Sequence, residues 1–211
     1  MVDLRDVEVV VDGTTLLPRT SVAVGRGQAV VVRGRNGAGK STLLRVVAGM
    51  RTPTSGSATV GGERISKRDA TFRRRLAAMI GLPPMAPDLT IRDHVRMVSA
   101  TWFSDPDEAE AVAAETIGSL DLQRLDRRFP HELSTGQLQV AALALVLARP
   151  FDVLVLDEPE QRLDQDRLAG VRDVLAGRRD AGAALVIATH STTLADSLAD
   201  HVVDLDADGS R

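Results

Sequence analysis

The stretch Gly34-Arg35-Asn36-Gly37-Ala38-Gly39-Lys40-Ser41 decides how this chain is read. It follows a continuous apolar run, Gln28 to Val32, the pattern of a buried parallel strand. It precedes Lys40 to Ala48, where Leu43, Leu44, Val46 and Val47 recur at helical spacing before Gly49 stops them. Strand, glycine-rich turn and helix in that order fit a phosphate-binding loop. Glycines let the backbone curl until successive N–H groups converge on phosphate oxygens. The helix adds the positive end of its dipole. Lys40 then supplies a point charge to the β- and γ-phosphates, the Ser41 hydroxyl ligates Mg²⁺, and Thr42 is a further phosphate contact.

Outward from this loop, the first quarter reads as short strands. Val7 to Val11, the Asp12-Gly13 turn and Ser21 to Val24 precede it, and Ser57 to Gly62 follows. From Pro83 to Pro150 the pattern turns helical, over Arg92–Thr101, Asp107–Gly118 and Gly136–Ala148. The β signal returns in Val153–Leu156, Leu185–Ala188 and Val202–Leu205, with helices over Gln165–Ala176 and Thr192–Ala199 between them. Strands alternating with helices mean an α/β parallel sheet, with the helical middle inserted into it.

Composition sets limits on function. The 211 residues suit one domain of ordinary size, 44% apolar and 26% charged. A net charge of −3 offers no chain-wide basic surface to nucleic acid. The runs Arg73 to Arg75 and Arg127-Arg128 read as solvated or locally salt-bridged faces. Without cysteine there is neither a disulfide framework nor a thiolate metal site, which fits a reducing cytoplasm. The charged N-terminus has no apolar signal core. The longest apolar run, Val140 to Ala148, falls well short of the roughly 20 residues that cross a bilayer, so a membrane role is expected to come through a partner.

Two further sites follow from strand ends. Val153 to Leu156 runs into Asp157 and Glu158, and strand C-termini in a parallel sheet open on the ligand crevice. Asp157 is expected to hold Mg²⁺ through water, and Glu158 to polarise the attacking water as general base. His190 follows the strand ending at Ala188. That strand is expected to lie beside the phosphate-loop strand, placing His190 near the γ-phosphate.

Leu133-Ser134-Thr135-Gly136-Gln137 narrows the reading. Ser134 can cap the apolar helix that follows, and Gly136 lets a phosphate approach closely. This segment resembles the L-S-G-G-Q signature of ABC ATPases, and Gln139 with Ala142 to Ala144 match the residues usual just after it. The resemblance spans the chain from Leu4 to Asp206. It implies a P-loop NTPase parallel-sheet core with an N-terminal antiparallel β subdomain and an inserted helical subdomain. The single ABC domain is expected to divide into a catalytic core over 1–84 and 151–211 and a helical subdomain over 85–150.

By the same resemblance, two subunits, identical or different, dimerise head to tail and trap two ATP molecules. Ser134 and Gly136 would contact the γ-phosphate held by the opposite subunit, and Leu163-Asp164 would cross the interface. The resemblance also implies the cofactors ATP and Mg²⁺, and a separate transmembrane permease as partner. No nucleic-acid partner is implied, and the chain is placed in the cytoplasm, touching the inner face of the membrane only through the permease. The permease would choose the cargo, and the short chain leans towards export. Trp102 and Phe103 read either as core of the insert or as part of the groove that receives the permease.

Several positions depart from the family pattern. The adenine-stacking aromatic falls near Val11, in a chain with no tyrosine. Stacking of this kind is worth about 1–3 kcal/mol, so lower nucleotide affinity or relaxed base selectivity is expected. The sensor glutamine falls near Met85, whose side chain cannot ligate Mg²⁺ as an amide oxygen can, so coupling to a partner is expected to be altered. Thr135 replaces a glycine, and Gln161-Arg162 replace small residues. Besides a transporter ATPase, two readings stay open: a soluble ABC ATPase acting as an assembly factor, and a nucleotide-binding regulator that does not hydrolyse.

Overall fold

The structure, a computed structural model, describes residues 1–66 and 69–206. Lys67 and the last five residues of the core expected over 151–211 lie outside that range. Two sheets organise the chain. The first is antiparallel, in the order β2-β1-β4-β5, formed by β1 (Val2–Val11), β2 (Thr14–Val24), β4 (Ser55–Val60) and β5 (Glu63–Arg64). Val11 pairs with Thr14 across Asp12 (φ 48°) and Gly13 (φ 77°), the two positive-φ residues of a tight hairpin. β1 starts five residues earlier than its apolar run suggests. Asp6 (φ 49°) lies within a shift of the pairing register between Leu4 and Val7, which breaks the period-two pattern.

The second sheet is parallel, in the order β6-β7-β8-β3-β9. Its strands are β3 (Ala29–Arg33), β6 (Leu76–Met79), β7 (Val153–Asp157), β8 (Ala184–Ala188) and β9 (His201–Asp204). Both faces are covered, which is why these strands read as unbroken apolar runs. Leu154, Leu156, Leu185 and Ile187 point into one core, shared with the helices of the insert. Val153, Val155, Val30, Val32 and Val186 point into the other, shared with α1 (Lys40–Val47) and the antiparallel sheet. The expected placement of the 185–188 strand holds, since Val30 pairs with Val186 and Val32 with Ala188.

Among the described residues each remaining α-helix starts at a side-chain cap. Asp69 caps α2 (Ala70–Arg75), Thr90 α3 (Ile91–Trp102), Asp105 α4 (Pro106–Ser119) and Ser134 α5 (Thr135–Leu147). Asp164 caps α6 (Gln165–Asp180) and Ser191 caps α7 (Thr192–Leu198). α2 and β6 escaped the sequence reading because one is polar and both are short. α5 is apolar on every side and correspondingly buried, from Gln139 through Ala144 and again at Val146 and Leu147. Burying each such leucine is worth about 1.5–3 kcal/mol. Trp102 ends α3 beneath the Arg149 guanidinium, 3.8 Å from the ring centroid, and its carbonyl accepts from Arg74. Burial pushes the Arg149 guanidinium down to about 10.

Candidate functional site

The strand order β7-β8-β3 brings three sequence-distant segments to one edge, the C-terminal ends of neighbouring strands. The phosphate loop leaves β3, the acids end β7, and Thr189-His190-Ser191 leave β8. Asp157 pairs in register with Ala188, and the Glu158 N–H donates to the Ala188 carbonyl at 2.8 Å. The two loops therefore start level with each other.

In the phosphate loop, Gly37 (φ 87°) and Gly39 (φ 104°) lie in the left-handed region that other residues adopt only under strain. A Cβ on Gly39 would stand 2.8 Å from the Leu16 carbonyl of β2, so the hairpin of the antiparallel sheet backs the loop directly. Gly39 also starts α1, and no side chain caps the first turn. Its N–H groups are left for an anion. Lys40 is buried and donates from Nζ to the carbonyls of Gly34 (2.7 Å) and Arg35 (3.1 Å), which holds the curl closed. The Arg35 N–H donates to Asp206 Oδ2 at 2.7 Å, and the Arg35 guanidinium meets the same carboxylate. Asn36 and Gly37 are exposed; Ala38, Ser41 and Thr42 are partly exposed.

Glu158 has φ 49°, a conformation that costs a non-glycine residue about 1–3 kcal/mol and persists where the surroundings hold it. Gln139 of α5 is among the groups that hold it, donating to the carbonyls of Glu158 (3.2 Å) and Pro159 (3.4 Å). The Glu158 carboxylate lies 3.3 Å from His190 Nε2 and accepts from Gln161 Nε2 at 3.1 Å. Carboxylate and ring are both partly open to solvent.

Ser134 and Gly136 belong to a different neighbourhood. Among the described residues no hydrogen bond joins them to the phosphate loop. The Ser134 hydroxyl accepts from the Gln137 N–H, whose side chain accepts from the Ser134 N–H in return. Gly136 is buried, and a Cβ there would stand 2.5 Å from the Arg162 carbonyl of its own chain. Ahead of them, the Phe129 N–H donates to Glu132 at 2.7 Å and holds that carboxyl below its usual range.

The residues fit ATP with Mg²⁺. A glycine cradle with an uncapped helix start suits phosphates. Ser41 and Asp157 offer hard oxygen donors, and among the described residues no group of three or more His, Cys, Asp or Glu could hold a metal by itself. Mg²⁺ suits so sparse a set, because it is bound through one or two protein oxygens, substrate phosphates and retained water.

The family model described as ABC transporter matches residues 17–161, more than half of the chain. The chain belongs to the ABC transporter family. It is 36% identical over 202 residues to a Streptomyces coelicolor protein named as an ABC transporter ATP-binding protein, covering 95% of this chain and 35% of that one. It is 31% identical over 214 residues to an energy-coupling factor transporter ATP-binding protein of Methanothermobacter thermautotrophicus, covering 98% of this chain and 68% of the relative. The chain thus spans about a third of the first relative's length and two thirds of the second's. Among solved structures, an ATP-binding subunit of an ABC transporter superposes with a TM-score of 0.86 at 25% identity, covering 97% of this chain and 85% of that one. The α/β architecture with its antiparallel sheet and inserted helices is therefore that of an ATP-binding cassette of this family.

Several residues of the site went unremarked in the sequence. Glu160 accepts through Oε1 from the Thr189 hydroxyl, the His190 N–H (3.1 Å) and the Ser191 N–H (3.3 Å). Three acids within Asp157-Glu158-Pro159-Glu160 were the available signal. Asp206 lies 171 positions from Arg35 and carries none. Near the sensor position, Met85 packs against the core, and buried His94 accepts from the Ala86 N–H through Nε2 (2.9 Å) while its Nδ1 meets the Thr90 carbonyl (2.8 Å). Val11 stands exposed beside the hairpin turn, on the same antiparallel sheet as Leu16.

Proposed function

We propose that this chain is the ATP-hydrolysing subunit of an ABC transporter, acting as a dimer on a separate membrane permease. The observation that carries the reading is the meeting of Glu158 and His190, 3.3 Å apart, on the sheet edge from which the phosphate loop also springs. Gly34 to Gly39 and the first turn of α1 receive the phosphates through N–H groups. Lys40 transfers part of its bonding from the Gly34 and Arg35 carbonyls to the β- and γ-oxygens. Thr42 adds a hydroxyl. Ser41 and Asp157 would hold Mg²⁺, which when bound neutralises charge developing on the phosphates. Glu158 orients the attacking water and accepts its proton, while His190, fixed against that carboxylate, faces the γ-phosphate.

Ser134 and Gly136, at the start of α5, complete the opposite subunit's site. Residues 85–150, containing α3 to α5, form the helical subdomain, and 1–84 with 151–211 form the core. Among the described residues no helix is long and apolar enough to cross a membrane. Attachment through the permease would place the chain on the cytoplasmic side. Turnover of ATP by the wild type and by Glu158→Gln tests the assignment. We expect a loss of about 100-fold or more in the variant, with ATP still bound. Equal rates would remove Glu158 as the base.

A further inference from the structure

We propose that Glu160 is a positioning residue for hydrolysis: it ties the His190 loop to the turn that carries Glu158, so that base and histidine keep one geometry. The inference rests on the assignment of Glu158 and His190 above. The turn after β7 curls back on itself, with the Gln161 N–H donating to the Glu158 carbonyl (3.1 Å) and the Leu163 N–H to that of Glu160 (3.1 Å). This aims the Glu160 side chain across to β8. There one oxygen, Oε1, gathers the Thr189 hydroxyl and the His190 and Ser191 amides. The Ser191 N–H also donates to Thr189 Oγ1 at 2.9 Å, so the three residues close into one knot.

The knot grips the backbone of His190, because its ring is half exposed and meets Glu158 at a single atom pair. Where the ring stands is therefore set by where its amide is held. The second oxygen of Glu160, Oε2, is sealed from solvent and has no hydrogen-bond partner among the described residues. That arrangement suits an acceptor anchored from one side and does not present the carboxylate to a ligand. A misplacement of about 1 Å in such a constellation costs on the order of 100-fold in rate.

The test is steady-state ATP hydrolysis by the full chain with Glu160→Ala, Glu160→Gln and Thr189→Val. We expect kcat of Glu160→Ala to fall about tenfold or more with KM for ATP within about twofold, since the phosphate loop is untouched. Glu160→Gln keeps the acceptor for the same three donors, and its amide replaces an oxygen that already lacks a partner. It should retain kcat within about threefold of the wild type. Thr189→Val removes the closest donor from the other side and should lower kcat by about three- to tenfold. Combined with Glu160→Ala it should add little, because both changes break one knot.

A merely structural role would move melting temperature and KM together, and Gln would not rescue kcat; either result overturns the proposal. Should Glu160→Ala fail to fold, Thr189→Val decides: an unchanged kcat refutes the tie. A wild type that turns over, with Glu158→Gln inactive and Glu160→Ala normal, sinks this inference and leaves the function standing. A Glu158→Gln as fast as the wild type sinks the base assignment instead.

Discussion

Replacing Gly136 by alanine tests whether this glycine, proposed to act on the opposite subunit, also serves its own. The added Cβ would stand 2.5 Å from the Arg162 carbonyl, and ordinary contact begins at 3.4 Å, so the loop after Glu158 or the start of α5 must yield by about 0.9 Å. Arg162 is itself left-handed (φ 66°) and has little freedom to retreat. Overpacking of this kind costs about 1–3 kcal/mol, offset by up to about 1 kcal/mol of better helix propensity. A net loss near 1 kcal/mol lowers the melting temperature by about 2–4 °C in a chain of this size. Turnover suffers more, by about 10- to 100-fold, because the displaced loop carries Glu158. The decisive assay mixes Gly136→Ala subunits with Lys40→Ala subunits. If Gly136 acts only across the dimer, the mixed dimer keeps one sound site and about half the wild-type rate. If it seats its own Glu158 loop, the Lys40-bearing site is damaged as well and the mixed dimer is nearly as slow as Gly136→Ala itself. A half-rate mixed dimer with an unshifted melting temperature would refute the reasoning.

Two further outcomes follow from the periphery of the site. Val11→Trp introduces an aromatic surface at an exposed hairpin position, and a gain of about 1–3 kcal/mol corresponds to roughly 5- to 150-fold tighter ATP binding; titration calorimetry showing no gain would place the adenine elsewhere. The Glu132 carboxyl is held below its ordinary 4.5, chiefly by the Phe129 N–H, so its contribution to stability is present above that value and is lost as pH falls through the folded value. The difference in melting temperature between wild type and Glu132→Gln should therefore shrink below pH 4.5, and a difference constant from neutral to acid pH would contradict it.

The parts of this molecule legible in its sequence are those where chemistry and local geometry coincide. The phosphate loop announces itself because glycine, lysine and serine are each needed at a fixed offset between a strand and a helix. The inner strands announce themselves because a sheet covered on both faces leaves no place for polar residues, as in Val153 to Leu156. Glu160, Asp206 and His94 carry no such mark. Each makes bonds whose partners are set by how elements pack: Glu160 with a loop some 30 positions away, Asp206 with an amide 171 positions away. His94 accepts from Ala86 beside Met85, which packs against the core. Gly136 shows the same limit differently. A phosphate accounts for a glycine there, and so does the Arg162 carbonyl; only the fold reveals the second.

Seen together, these contacts change how the departures at Gln161 and Arg162 should be understood. Small residues at those positions would contribute little beyond backbone. Here Gln161 donates to the Glu158 carboxylate, and the Arg162 carbonyl occupies the space that Gly136 leaves open. Gln139 of the same helix grips the turn at Glu158 and Pro159, and Glu160 grips the His190 loop. The helix α5, the turn after β7 and the loop after β8 are thereby joined by direct bonds. The phosphate loop reaches that unit through the strands β3 and β8 and is held separately by Asp206. A contiguous set of contacts transmits a change only if some element in it has two arrangements. The two left-handed residues bracketing the turn, Glu158 and Arg162, are where the backbone holds strain. On the assignment of Glu158 proposed above, the side chains of Gln161 and Glu160 add to this turn direct bonds, to the Glu158 carboxylate and to the His190 loop, that small residues would lack.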